Sequence, residues 1–136
     1  MGKTIIRTDR APAKPGVFSQ AIKVAGFVYV TGQAAGTPET VRMVQGRIEE
    51  KMVPGGIREQ TRQVLENVKA ILEAAGCGLK DVVKAVIFLK DIRDFDAMNE
   101  VFKSYFPEPP ARSTLEAKLA SPDILVEIEV IAYTGS

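Results

Sequence analysis

Residues 124–133, ILVEIEVIAY, restrict this chain more than any other stretch. Ile124, Val126, Ile128, Val130 and Ala132 alternate along it and are all apolar, which predicts a strand with one face on a core. The opposite row, Leu125, Glu127, Glu129, Ile131 and Tyr133, is mixed rather than polar. Strand 82–90 behaves alike, with Val83, Ala85, Ile87 and Leu89 on one face and Val82, Val86 and Phe88 on the other. Helices can cover one face of such a sheet, but a two-layer monomer would leave the second face in water. Apolar surface of that extent marks an interface, so the pattern predicts a homo-oligomer that buries it.

The remaining segments supply what this sheet needs. TIIRT at 4–8 reads as a short edge strand, APAKPG at 11–16 as a loop, and 17–33 as a hairpin turning at Ala25–Gly26. Residues 37–56 are irregular, with a small ribbon expected near 41–48. From Ile57 to Ala75 the apolar residues Val64, Leu65, Val68, Ile71 and Leu72 recur at helical spacing, and Gly76 sits where a left-handed cap belongs. Asp94 is expected to cap a second helix that buries Phe95, Met98, Val101, Phe102 and Tyr105 and stops at Pro107. The strands 111–119 and 124–133 are expected to pair around a turn at 120–123. The order β-β-α-β-α-β-β predicts an α+β sandwich with the helices on one sheet face, as one domain over residues 1–136.

Composition removes several classes of chemistry. The 136 residues contain no histidine and a single cysteine, Cys77, so triads with an imidazole base, intrachain disulfides and zinc or copper sites are not expected. Neither a GxGxxG nor a P-loop pattern signals a nucleotide cofactor, and the expectation is that no cofactor is used. The 18 basic and 17 acidic residues leave a formal charge of +1, no electrostatic footprint for nucleic acid or an anionic membrane. With no leader-like segment and no apolar run of spanning length, a cytoplasmic protein is expected. Cys77 reads as an incidental small residue, Lys84 and Lys90 as rim positions, and the Phe/Tyr cluster of FKSYFP as core.

Chemistry is left to Arg, Lys, Asp, Glu, hydroxyls and backbone amides, which draws attention to Arg112 in PPARSTLEAKL. A hairpin turning at 120–121 would set Leu115 opposite Val126, Thr114 opposite Glu127 and Arg112 opposite Glu129, all polar members on the oligomer-facing side. Two readings are then open. Arg112 forms a structural ion pair with Glu129 or Glu127, or its fork of donors waits for the carboxylate of a small substrate while a glutamate holds water.

GVFSQAI at 16–22, VYVTGQ at 28–33, LENVKAILEAAG, MNEVFKSYFP and PPARSTLEAKLASPDILVEIEVIA together resemble the YjgF/RidA family, also called L-PSP, in order over nearly the whole chain. The resemblance implies a chorismate-mutase-like fold and a homotrimer whose sheets form a central barrel, with sites in the intersubunit clefts. It further implies cofactor-free hydrolysis of reactive 2-enamines and 2-imines of amino acids to 2-keto acids and ammonia. Some family names imply instead an endoribonuclease or translation inhibitor, and a non-catalytic carboxylate-binding trimer is a further alternative. By position, Arg112 matches the arginine that binds the substrate carboxylate and Glu127 the glutamate that positions water. Asn99 matches a polar residue of the cleft, and Thr31 replaces a serine before Gly32, whose backbone can approach the ligand. Phe18 and Thr114 stand where active members usually carry tyrosine and cysteine, which bears on substrate range and rate. A neighbouring arginine is expected to keep Glu127 ionised.

Overall fold

The computed structural model describes residues 2–135. Strands β1 (Thr4–Ile6), β2 (Ala21–Val24) and β3 (Phe27–Gln33) run antiparallel in succession. The β2–β3 turn puts Ala25 at φ 50° and Gly26 at φ 82°, the paired left-handed residues whose twist suits a two-residue hairpin. The same geometry recurs at Gln45–Gly46 in the ribbon of β4 (Val41–Val44) and β5 (Arg47–Glu50). The first hairpin turns at the expected Ala25–Gly26, and the ribbon begins at the expected position but runs on to Glu50.

Helix α1 (Ile57–Ala74) buries Val64, Leu65, Val68, Ile71 and Leu72. Its end is a Schellman turn: Gly76 at φ 85° donates to the Glu73 carbonyl, and the Cys77 amide reaches the Leu72 carbonyl at 3.0 Å. Strand β6 (Val82–Leu89) follows, then α2 (Phe95–Tyr105), β7 (Ala111–Glu116) and β8 (Val126–Tyr133). In α2, Met98, Val101 and Phe102 are buried, whereas Phe95 and Tyr105 only flank the core. Asp94 makes no side-chain cap; Asp91 accepts from the Arg93 amide in the short turn before the helix. The strand 82–90 also departs from its expected faces. A bulge between Val82 and Lys84 buries Val82 and turns Val83 out to water, while Ala85, Ile87 and Leu89 keep the core face.

The six strands form one mixed sheet in the order β1-β2-β3-β8-β6-β7, with α1 packed on β3 and β8 and beside α2. This corrects the expected terminal hairpin. Strand β7 pairs in parallel with β6, and β8 lies between β3 and β6. The reason is topological. Strands joined through a helix return in the same direction, and the fully apolar face of β8 is best covered in the sheet centre. Residues 117–125 therefore pass across the end of β6, where Ala117 donates to the Leu89 carbonyl and Lys90 to that of Leu125.

The pairing also reverses the expected face of Arg112. It ends a lateral row of Ile6, Ala21, Val30, Val130 and Ala85, all buried against the helices. Glu127 lies in a row with Phe88 and Leu115 on the opposite face. That second face exposes Ile5, Tyr29, Leu115 and Tyr133.

Candidate functional site

The family-matched residues fall into two groups on opposite sides of the sheet. The first surrounds Arg112. Being the last side chain of an apolar row at the sheet edge, it projects beside α2 instead of into the core. There Arg112 donates to Asn99 Oδ1 at 2.6 Å, and its guanidinium lies 4.9 Å from the Phe102 ring centre and 5.5 Å from that of Phe95. Aromatic faces attract a guanidinium without neutralising it. Among the described residues no carboxylate pairs with Arg112, so the ion pair with Glu127 or Glu129 does not form. Burial pulls its pKa down from the usual arginine value, yet an arginine stays charged at neutral pH. The group opens into a groove of about 620 Å³ whose walls include Asn99, Phe102, Phe106 and Pro110. Two residues on, Thr114 holds its Oγ1 out of solvent with no hydrogen-bond partner among the described residues, a state that costs free energy until a water or ligand answers it.

The second group surrounds Glu127. Strand β3 bulges between Val30 and Gln33, so that Thr31 and Gly32 form the kink and Gly32 lies beneath the Glu127 carboxyl. A Cβ on Gly32 would sit 2.5 Å from Glu127 Oε2, which is why the position takes no side chain. Phe18, Gly32 and Glu127 border a cavity of about 60 Å³, enough for a water or two. Lys14 and Glu50 also line it, joined by an ion pair at 3.0 Å, with the Lys14 ammonium 5.4 Å from the Phe18 ring centre.

Glu127 is pushed above the ordinary carboxylate range, first by burial and then by the Glu129 and Glu50 charges, while Lys14 pulls it back. Within one protomer the sheet separates Arg112 from Glu127, so that arginine does not offset these shifts, and a neighbouring arginine can come only from another copy of the chain. A carboxyl shifted upward toward neutral pH is better matched to passing a proton to and from water.

Three buried amides hold the surrounding loops, and none was singled out from the sequence. Gln20 donates to the Thr8, Ala11 and Pro12 carbonyls, Asn67 to those of Ala34 and Gly36, and Gln60 to that of Asp123. The sequence places Lys14 in a loop and Glu50 in the irregular stretch just past the expected ribbon. The one available signal for Lys14 is its place in the Pro/Gly-punctuated segment leading to Phe18. Nothing in the sequence joins Glu50 to Glu127.

Comparison with known proteins follows the same outline. The profile of the family described as Endoribonuclease L-PSP matches residues 8–134. A RutC family protein of Pyrococcus abyssi is 48% identical over 134 residues, spanning 98% of each chain. The 2-iminobutanoate/2-iminopropanoate deaminase of Rattus norvegicus is 38% identical over 134 residues, spanning 98% of this chain and 91% of that one. The crystal structure of RidA from an Antarctic Psychrobacter superposes with a TM-score of 0.83 at 43% identity, covering 96% of this chain and 98% of that one.

Proposed function

Since the chain belongs to the family of endoribonuclease L-PSP and RidA proteins, we propose that it is a cofactor-independent deaminase that hydrolyses 2-imino acids, and their enamine tautomers, to 2-keto acids and ammonia. The observation that carries this reading is Arg112, a cation braced by an amide and two aromatic rings, open to a groove, and paired with no carboxylate among the described residues. Such a group fits a small organic acid.

In this reading the substrate carboxylate docks on the Arg112 fork, which fixes the C=N carbon for attack; orientation of this kind lowers barriers by several kcal/mol. Water held by Glu127 adds to that carbon of the protonated imine, its proton passes to the carboxylate, and a carbinolamine forms. That proton then moves to nitrogen, the carbinolamine hydroxyl gives its own proton back to the carboxylate as the C–N bond breaks, ammonia leaves and the carbonyl forms. A positioned base of this kind contributes about 10²- to 10⁴-fold. Phe18 supplies an aromatic wall without a hydroxyl, so Glu127 carries the water alone. The orphaned Thr114 hydroxyl is available to a polar group of the ligand.

Arg112 and Glu127 point from opposite faces, so a site with both takes them from different copies of the chain. The assembly that fits is a homotrimer, with the second sheet faces turned inward as a barrel that covers Tyr29, Leu115 and Tyr133. Cleavage of RNA is disfavoured: the chain has no imidazole base and a near-neutral charge. The test is to add the protein to a serine/threonine dehydratase or an amino-acid oxidase and follow keto acid release. Wild type should speed it, and an Arg112→Ala variant equally effective would reject the mechanism. Binding of 2-ketobutyrate with no acceleration would make the site a carboxylate receptor instead, the outcome for which the missing Phe18 hydroxyl allows.

A further inference from the structure

The ion pair beside Glu127 differs from every other among the described residues. Lys14 and Glu50 meet at 3.0 Å with each side chain only 19% exposed, whereas each other pair among the described residues has at least one side chain more than half in water. Surface pairs are screened and contribute little; a pair this enclosed keeps its field. Both partners are also held from behind. Gln20, itself buried, grips the Ala11 and Pro12 carbonyls at 3.1 and 2.9 Å and so fixes the loop that carries Lys14. The Val17 amide closes that loop on the Lys14 carbonyl at 3.1 Å. Glu50 ends β5, paired across the ribbon with the buried Val41. Residues far apart in the chain are thus brought to one cavity with Glu127.

The charges that act on Glu127 come from three elements. Its own strand presents Glu129, the ribbon presents Glu50, and the 11–16 loop presents Lys14; the neighbouring positions of β3 and β6, Gly32 and Phe88, bring none. Within its own protomer Lys14 is therefore the cation in a setting that otherwise favours a neutral carboxyl. For a base that must be an anion when water arrives, that is the member of the set that acts in the required direction.

We infer that Lys14 is a positioning residue of the deaminase reaction: clamped by Glu50, it supplies the positive charge that keeps Glu127 an anion able to hold and deprotonate water. The inference rests on the function proposed above and adds to it a residue outside the family-matched set. It also gives the β4–β5 ribbon a role, since the ribbon carries the clamp.

The experiment is a pH profile of kcat/KM for keto acid release by the wild-type protein and by Lys14→Met, Lys14→Arg and Glu50→Gln. Lys14→Met should move the acid limb to higher pH by about threefold or more in proton concentration, and Lys14→Arg should restore it. Glu50→Gln removes a carboxylate from the cavity wall but also releases the clamp on Lys14, so it should move the limb less than Lys14→Met does. A Lys14→Met limb that stays in place, or a Glu50→Gln limb that moves further upward than the Lys14→Met limb, overturns the inference. A pair that only braces the fold would lower thermal stability in both variants and leave the limb where it was. Titration of the Glu127 carboxyl by NMR on ¹³C-labelled protein, in the same variants, reads the effect of Lys14 without any turnover. Inactive wild-type protein would thus reject the deaminase reading alone, while an unmoved Glu127 titration would reject the role of Lys14.

Discussion

Arg112 and Glu127 stand on opposite faces of one sheet: Arg112 sits beside Ala85 in the row under the helices, and Glu127 beside Phe88 in the row turned away. Strand β6 separates them, so no rotamer change within a protomer brings the guanidinium to the carboxyl. A site using both is built between copies. On the function proposed above, the contact that completes the site would also cover the exposed apolar residues of the second face.

Asn99 braces Arg112 with a neutral acceptor at 2.6 Å, which leaves the positive charge for a ligand. Asn99→Asp places a carboxylate at that contact and creates the competing ion pair. KM for the imino acid should rise by roughly tenfold or more, since hydrogen bonds to charged groups contribute about 1.5–3 kcal/mol. The thermal midpoint should hold or rise. Asn99→Ala, which offers no competing charge, should affect KM less, and steady-state kinetics beside thermal melts separates the two.

Gly32→Ala aims a methyl group at the Glu127 carboxyl, 2.5 Å from Oε2 and 3.0 Å from Cδ. The side chain can swing away at small cost to folding, but its oxygens then leave the position that holds water. The expected result is a fall in kcat of about 10²-fold, the usual consequence of ångström-scale misplacement. Circular dichroism melts should show little loss of stability.

Burial and the neighbouring carboxylates raise Glu127 in the folded protein. The folded state therefore holds that proton more tightly than the unfolded chain does. Its contribution to stability is fully present below the unfolded value, about 4.3, and is lost as pH climbs through the raised folded value. Glu127→Gln should accordingly melt higher than wild type near neutral pH while losing activity. The gap should close as the pH is lowered to 4, as calorimetry across that range would show.

Tyr105 donates to Glu66 at 2.8 Å, and burial followed by that bond pushes its hydroxyl up to about 12. As an acid with a raised value, it supports the fold below the unfolded value, about 10, and loses that support as pH climbs to about 12. Absorbance titration of phenolate should show a component near that upper value, missing in Tyr105→Phe. The variant should cost less than about 1 kcal/mol at neutral pH, because the contact lies at the surface.

Much of this architecture can be read along the chain, and the limits are physical. The alternation in 124–133 identified the core face of β8, and the 3.6-residue spacing with Gly76 located α1 and its cap. Periodicity says which residues share a face of one strand; it is silent on which strand lies next door. The presumed hairpin of β7 with β8 therefore put Arg112 on the wrong side, although its own alternation was read correctly. One connection, the α2 crossover between parallel β6 and β7, decides the matter. The bulges in β3 and β6 shift side chains by a step that alternation cannot register. The buried amides Gln20, Gln60 and Asn67 look like ordinary surface residues until the loops they grip are folded over them.

The central claim is that one protomer's Arg112 works with another's Glu127. Inactive Arg112→Ala and Glu127→Gln proteins, unfolded together in equal amounts and refolded, test it by their rate of keto acid release. Random assembly of a closed ring pairs an intact arginine with an intact glutamate at about a quarter of the sites, so activity should reappear to roughly that fraction of wild type. Each variant refolded alone should stay inactive. A mixture as inactive as its components, shown by mass to contain both chains in one assembly, would contradict the account.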